Sequence, residues 1–228
     1  CSRDWSSDVC SSDLLVILND PTNLDRYRQA GLTAHYIPHS YRPDVHHPTD
    51  RDAEYDFVFV GSGYRSRVEL LEAVPWGGLR VALAGHWPDL ADESPLHRFM
   101  IEQDDAGLDN VATADLYRRS ATSANIYRAA RGYVSEANGT DLTSGWAIGP
   151  REVELAATGT FFLRDSRGES DLLFPMLPTF DDADDFGSKL RWWLAHDDER
   201  NRAAQAARQA VADRTFIQAA RRLLALLP

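Results

Sequence analysis

From Tyr55 onward the chain repeats one pattern: a short apolar run, a turn, then a helical stretch. The run DFVFVG closes on Gly61 and leads into a helix over Arg65 to Ala73. Leu79 to Ala84 is the next run and closes on Gly85. A helix over Thr113 to Ala121 precedes a strand over Ser123 to Tyr127. Another helix, Pro150 to Thr158, stops at Gly159 before a strand over Thr160 to Leu163. Runs that are apolar throughout, rather than alternating, suit strands buried on both faces. The reading is therefore α/β, a Rossmann-like parallel sheet with helices on both faces. Leu177 to Phe180 reads as a last short strand, followed by helices over Asp182 to Ala195, Glu199 to Ala212 and roughly Phe216 to Leu227. In such sheets ligands bind beyond the carboxyl ends of the strands. The loops after Val60, Ala84, Tyr127 and Leu163 are thus expected to surround a site.

The front of the chain is less regular. Leu15 to Leu18 reads as a strand, Asn19 to Asn23 as a turn, Leu24 to Ala30 as a helix ending at Gly31, and His35 to Pro38 as a second strand. His39 to Glu54, rich in Pro, His and Asp, has no periodicity and reads as an interdomain linker. Residues 1–14, CSRDWSSDVCSSDL, repeat Ser-Ser-Asp and show neither the basic and apolar regions of a signal peptide nor any helical or strand period. They read as translated adaptor sequence. Both cysteines, Cys1 and Cys10, lie there, which leaves the body of the chain without a disulfide framework and makes a reducing compartment the default. No methionine precedes Met100, so the chain reads as a fragment or a processed product. The net charge of −11 argues against a general nucleic-acid or anionic-membrane binder. No apolar run reaches the roughly 18 residues that a membrane span needs.

Three segments can carry chemistry. In GSGYRSR the glycines Gly61 and Gly63, with Ser62 and Tyr64, let a backbone approach a phosphate at a helix N-terminus, and Arg67 adds positive potential. A tight strand-to-helix turn accounts for the same glycines, and the third glycine of a dinucleotide fingerprint is missing. In GPREVELAATG, Gly149 opens a helix on which Arg151 and Glu154 share a face. Glu154 can accept two hydrogen bonds from a ribose diol, or serve simply as an acidic first turn. In NIYR, Tyr127 can stack on a base or sugar and Arg128 can reach a pyrophosphate, or the tyrosine can pack on a neighbouring loop. His86 and Trp87 follow Gly85 and either border the site or, the better reading, pack as a loop. No histidine shows metal-ligand spacing, and Asp181, Asp182, Asp184 and Asp185 read as a loop and helix start.

Taken together, YIPHSYRPDVHHP, DFVFVGSGYRSR, LYRRSATSANIYR, GWAIGPREVELAATGTFFLRD and HDDERNRAAQAARQAVADRTF make the chain from about Leu15 resemble bacterial glycosyltransferases of group 1, especially the CgeB-like spore-maturation branch. The resemblance implies the C-terminal half of a GT-B fold, two Rossmann-like domains with the active site in the cleft between them. Residues 45–228 would be the C-terminal nucleotide-sugar-binding domain, and residues 15–44 a remnant of the N-terminal domain with the linker. The partners it implies are a nucleotide-sugar donor, an unknown glycosyl acceptor and the missing N-terminal domain of the same protein. It implies no bound metal or other cofactor. In that family a Glu-x7-Glu motif contacts the donor, and its second glutamate, five residues before a glycine, binds the ribose. Glu154 takes that role. The first falls at Trp146, a departure from the motif. The Arg-Lys pyrophosphate pair is also incomplete, with Arg67 and Arg128 or Arg151 as substitutes.

The function expected is glycosyl transfer of hexosyltransferase type in a cytoplasmic bacterial setting, by a chain inactive alone for want of its acceptor domain. No catalytic residue is assigned. The alternatives are a nucleotide-sugar-binding module without turnover and a GT-B sugar-nucleotide epimerase. Removing residues 1–14 is expected to leave the melting temperature unchanged within about two degrees, as scanning calorimetry would show. A larger drop would make the segment part of the fold.

Overall fold

The computed structural model describes residues 14–101, 107–127 and 145–227. At the front, β1 (Leu15–Leu18) and β2 (Thr33–Tyr36) pair in parallel around α1 (Leu24–Gln29), forming a two-stranded sheet of their own. The second sheet holds β3 (Tyr55–Val60), β4 (Val81–Ala84), β5 (Ser120–Asn125) and β6 (Phe161–Arg164). All four are parallel, in the order β4-β3-β5-β6. From β3 the chain passes through α2 (Arg65–Ala73) to β4 on one side, then crosses back through α3 (Asn110–Arg118) to β5 on the other. The direction of winding reverses between β3 and β5. A crevice opens at their carboxyl ends, the place where open parallel sheets bind ligands.

The core explains why the apolar runs are strands. Phe57, Phe59, Leu83 and Phe162 have no exposed surface, and Phe186 packs edge-on against Phe57 and Phe180. β5 is the exception, since its residues are small and polar. It survives in the middle of the sheet because its hydroxyls donate to neighbouring main-chain carbonyls, Thr122 to Asp56 at 2.5 Å and Ser123 to Val58 at 2.7 Å. α4 (Pro150–Thr158) starts with proline at its first turn and stops at Gly159, whose φ of 76° a side chain would strain. Gly85 is required for another reason. Its φ is 107°, and a Cβ there would sit 2.4 Å from the Gly61 carbonyl oxygen, so the exits of β3 and β4 touch.

Several boundaries differ from the sequence reading. β5 begins at Ser120, three residues early, because Ser-Ala-Thr looked like the end of a helix rather than a strand. The expected strand at Leu177 to Phe180 shrinks to one bridge between Arg164 and Thr179. A short helix, α5 (Gly168–Leu173), was not read at all. The linker is not loose, since Val45 and His46 are buried and Arg118 donates to the Val45 carbonyl at 2.8 Å. The segment also bonds to the chain just before the last helix, with Tyr41 N donating to the Arg214 carbonyl at 2.9 Å and Phe216 N to the Tyr41 carbonyl at 3.0 Å.

Three helices close the chain: α6 (Ala183–Ala195), α7 (Asp197–Ala210) and α8 (Phe216–Leu224). No helix among the described residues is long and apolar enough to cross a membrane. α8 has no buried residue; Phe216 is 55%, Ile217 57% and Leu224 65% exposed. An apolar face left open on this scale promotes association. Sedimentation velocity is expected to show concentration-dependent self-association that Ile217→Glu and Leu224→Glu abolish. A strict monomer at high concentration, with α8 protected from hydrogen exchange, would contradict it.

Candidate functional site

Two clusters meet at the carboxyl edge of the larger sheet. The first lies in the β3/β5 crevice. Arg67, on the first turn of α2, is 7% exposed and lies beneath the loops. Its Nε and Nη2 donate to the Ile126 carbonyl at 2.9 and 2.6 Å, and its Nη1 to the Ser62 carbonyl at 2.9 Å. The expectation that Arg67 faces a pyrophosphate therefore gives way to a different role, tying the loop after β3 to the loop after β5. Gly61 and Gly63 are likewise filled from within. A Cβ on Gly61 would meet the Arg151 guanidinium, and one on Gly63 would meet the Trp87 ring. At the start of α2, Arg65 N donates to Asp89 Oδ2 at 2.8 Å, so that helix end already holds a carboxylate.

Arg151 is the arginine that occupies the crevice. Its guanidinium lies over the Phe59 ring, 5.1 Å from the centroid, and donates to Asn125 Oδ1 at 3.4 Å. It also lies near the hydroxyl of Tyr117, whose pKa burial pushes up to about 12. Both of these neighbours are neutral. Glu154, on the same face of α4, is partly buried, and burial raises its pKa against the pull of Arg151.

The second cluster surrounds Tyr127. Its hydroxyl donates to Glu152 and accepts Gly149 N at 3.1 Å, and Ser170 Oγ donates to the other Glu152 oxygen at 2.5 Å. Glu152 has no exposed surface, and burial pushes its pKa up. Tyr127 N donates to Asp165 Oδ2 at 2.5 Å, and the Arg167 guanidinium stacks 3.7 Å from the Tyr127 ring centroid. One face of the ring and its hydroxyl are thus engaged within the chain, which narrows the stacking role expected for Tyr127. Burial raises the Asp165 pKa as well, with Arg67 and Arg167 opposing. Arg128 lies outside the described residues.

The structure brings Gly61, Arg151 and Glu154 into one cluster and Tyr127 with Gly149 into its neighbour, while Ser62 and Tyr64 contribute main chain and a ring near Arg67. Sequence reading missed Glu152, Asp165 and Arg167, and gave Asn125, the first residue of NIYR, no role of its own. Glu152 had a signal, an acid inside an otherwise apolar helix face; Asp165 and Arg167 had none. A cleft of about 620 Å³ lies at the opposite, amino end of the sheet, lined by Asp56, Arg80, Arg118 and Arg200 among others. All three of those arginines are already paired, Arg80 with Asp56 at 2.7 Å, Arg118 with Asp115 at 3.7 Å and Arg200 with Asp197 at 2.6 Å. Strand polarity also favours the carboxyl edge.

A parallel sheet flanked by helices, with a crevice at its switch point, defines an open α/β protein of the Rossmann-like type. More particularly, the chain belongs to the glycosyl transferase-like family, whose model (Glyco_trans_1_2) is matched by residues 45–225. No protein of curated function matches the sequence. Among solved structures the chain is similar to sucrose-phosphate synthase from Thermosynechococcus elongatus, with a TM-score of 0.63 and 14% identity over 93% of this chain and 57% of that one. It is similar to Anabaena HepE in complex with UDP-glucose, with a TM-score of 0.60 and 13% identity over 93% of this chain and 64% of that one. It also matches the C-terminal domain of a group 1 glycosyl transferase (LpcC) from Francisella tularensis, at 12% identity with a TM-score of 0.50, over 75% of this chain and 96% of that one. The chain thus spans 57% and 64% of the first two proteins and nearly all of the third. These similarities establish the architecture, a parallel sheet flanked by helices as in GT-B glycosyltransferases.

The partly buried carboxyl of Glu154 gives a pH signature. Its folded pKa is raised above the ordinary 4.5, so the folded chain holds that proton more tightly than the unfolded one. The stability this confers is fully present below the unfolded value and is lost as pH rises through the folded value. Glutamine does not titrate. Glu154→Gln is therefore expected to gain stability relative to wild type as pH rises from about 4.5 towards 7. Urea unfolding at both pH values reads this, and a difference independent of pH would refute it.

Proposed function

We propose that the chain binds a nucleotide-sugar donor through its diphosphate and ribose, as the C-terminal, donor-binding part of a glycosyltransferase. The observation that carries the reading is Arg151. It is a guanidinium at the β3/β5 switch point, lying against Gly61, bonded to the neutral side chain of Asn125 and near the neutral hydroxyl of Tyr117. A cation so placed can take a diphosphate oxygen by a charge-assisted hydrogen bond. Glu154, one turn along α4, is the carboxylate for the ribose diol. Gly149 at the start of α4 adds the positive end of a helix. That HepE was solved with UDP-glucose supports the donor class. The reading assigns the diphosphate charge to arginine and main-chain amides and invokes no metal ion.

The finer parts of the proposal rest on sequence resemblance: the CgeB-like branch, a hexosyl group as cargo, a bacterial cytoplasmic setting and an acceptor held by a further domain. Transfer requires both substrates in one cleft, so the chain alone is expected to bind without turnover. Trp146, standing where the family motif has its first glutamate, favours the second reading, a nucleotide-sugar-binding module. A transfer assay with the full-length protein would separate the two.

Calorimetry with uridine, guanosine, adenosine and thymidine diphosphates is expected to show binding of at least one. Removing a charged hydrogen-bond partner costs about 1.5–3 kcal/mol, so Glu154→Ala is expected to weaken binding roughly ten- to a hundredfold. If the folded chain binds none at millimolar concentration, the donor site is wrong. If Glu154→Ala binds as well as wild type, the role of that residue alone is wrong.

A further inference from the structure

The three main-chain amides that lead into Gly149 and α4 are all held by carboxylates. Ile148 N donates to Glu169 Oε2 at 2.8 Å. The other Glu169 oxygen accepts Tyr36 Oη at 2.9 Å and Arg214 Nη1 at 2.7 Å. With Glu169 4% exposed, this is a short, buried, permanent contact. Trp146 N and Ala147 N behave differently. Both donate to a single oxygen of Asp20, at 3.3 and 3.4 Å. Asp20 belongs to the turn after β1, where its other oxygen accepts Thr22 N at 2.9 Å and Thr22 Oγ1 at 2.5 Å.

Two successive amides converging on one anionic oxygen form a concavity of the kind that accepts a phosphate oxygen. Its occupant here is a carboxylate of the chain's own, at the long end of the hydrogen-bond range and only partly buried. Exchanging it for another anion costs little, because the amides keep a partner and the carboxylate gains water. The concavity directly precedes α4, the helix that carries Arg151. Asn125, at the end of β5 and 3% exposed, gives its oxygen to Arg151 while its amide nitrogen has no acceptor among the described residues. The entry to α4 thus offers two amides in an exchangeable contact, and the partner of its Arg151 is a buried donor awaiting an acceptor.

We propose that Asp20 is an internal stand-in for the diphosphate of a nucleotide ligand. It fills the amide pocket of Trp146 and Ala147 when the site is empty and leaves when a diphosphate enters. The inference rests on the donor-site reading above. Its consequence is that ligand binding releases the β1–β2 unit from the loop before α4. A protein whose pocket is mostly closed binds with an affinity reduced by the open fraction.

Asp20→Asn keeps the shape of the side chain and removes its charge. With UDP as the probe, calorimetry is expected to show binding about tenfold tighter than wild type, as for a pocket closed in roughly nine molecules of ten. Uridine, which lacks the diphosphate, is expected to bind both proteins alike. Asp25→Asn neutralises an exposed carboxylate of α1 and is expected to change nothing. In the wild type, UDP is expected to speed hydrogen exchange across Leu15 to Tyr36. If Asp20→Asn binds UDP no tighter than wild type, or more weakly, Asp20 supports the site and the proposal falls. An equal gain from Asp25→Asn also overturns it, by reducing the effect to net charge. If neither protein, shown folded by circular dichroism, binds UDP at millimolar concentration while another nucleoside diphosphate binds, the same comparison with that nucleotide decides. If no nucleoside diphosphate binds, the donor-site reading fails and takes this one with it.

Discussion

Hydrogen bonds from the Arg67 guanidinium to the Ser62 and Ile126 carbonyls hold the site together. The reversal of winding between β3 and β5 leaves two loops with main-chain carbonyls at a crevice that neither strand can fill. Ser62 and Ile126 present such carbonyls from opposite sides, and a planar, permanently charged fork meets both from beneath. Lysine has one nitrogen and could not span them with the same geometry. Everything above the floor, including the approach of Arg151 to Gly61 and the position of Tyr127, depends on these loops staying a fixed distance apart.

Carboxylates then arrange the upper layer. Glu152 is buried without a cation bonded to it, which is costly unless its oxygens are satisfied. Tyr127 and Ser170 satisfy them, and the same tyrosine hydroxyl accepts the amide of Gly149. One buried acid thereby fixes the ring, the turn and the entry angle of α4. Asp165 does the corresponding work from the end of β6 by receiving the Tyr127 amide. Burial raises the pKa of both acids, and each is compensated by hydrogen bonds rather than by a close ion pair.

Glu169 extends this arrangement beyond the larger sheet. It bonds the loop before α4, the β2 tyrosine and the arginine that precedes α8, with a buried ion pair at its centre. Removing one partner of such a pair leaves an uncompensated charge and is strongly destabilising. The small front sheet and the last helix are therefore mechanically connected to the turn on which the candidate ligand chemistry sits. Among these contacts, the Asp20 link is the one with long bonds and an accessible position.

The sequence by itself determined the class of fold. Apolar runs such as DFVFV and VALA can be satisfied only as buried parallel strands, and proline at Pro150 with glycine at Gly159 bounds α4 to the residue. Residue chemistry also marked Gly61, Arg151 and Glu154 as candidates, because a glycine turn, a guanidinium and a carboxylate at strand ends have few other reasons to coincide. It could not say which arginine enters the crevice. Arg67 and Arg151 look equivalent in one dimension, and only tertiary packing directs one to buried carbonyls and the other into the crevice. Nor could it place the start of β5, whose small polar residues Ser120 to Thr122 join a central strand only once Asp56 and Val58 offer carbonyls to the hydroxyls of that strand. The meeting of Asp20 with Trp146 and Ala147 belongs to the same category. Those residues are more than a hundred positions apart, and an amide pocket exists only where the folded chain makes successive N–H groups converge.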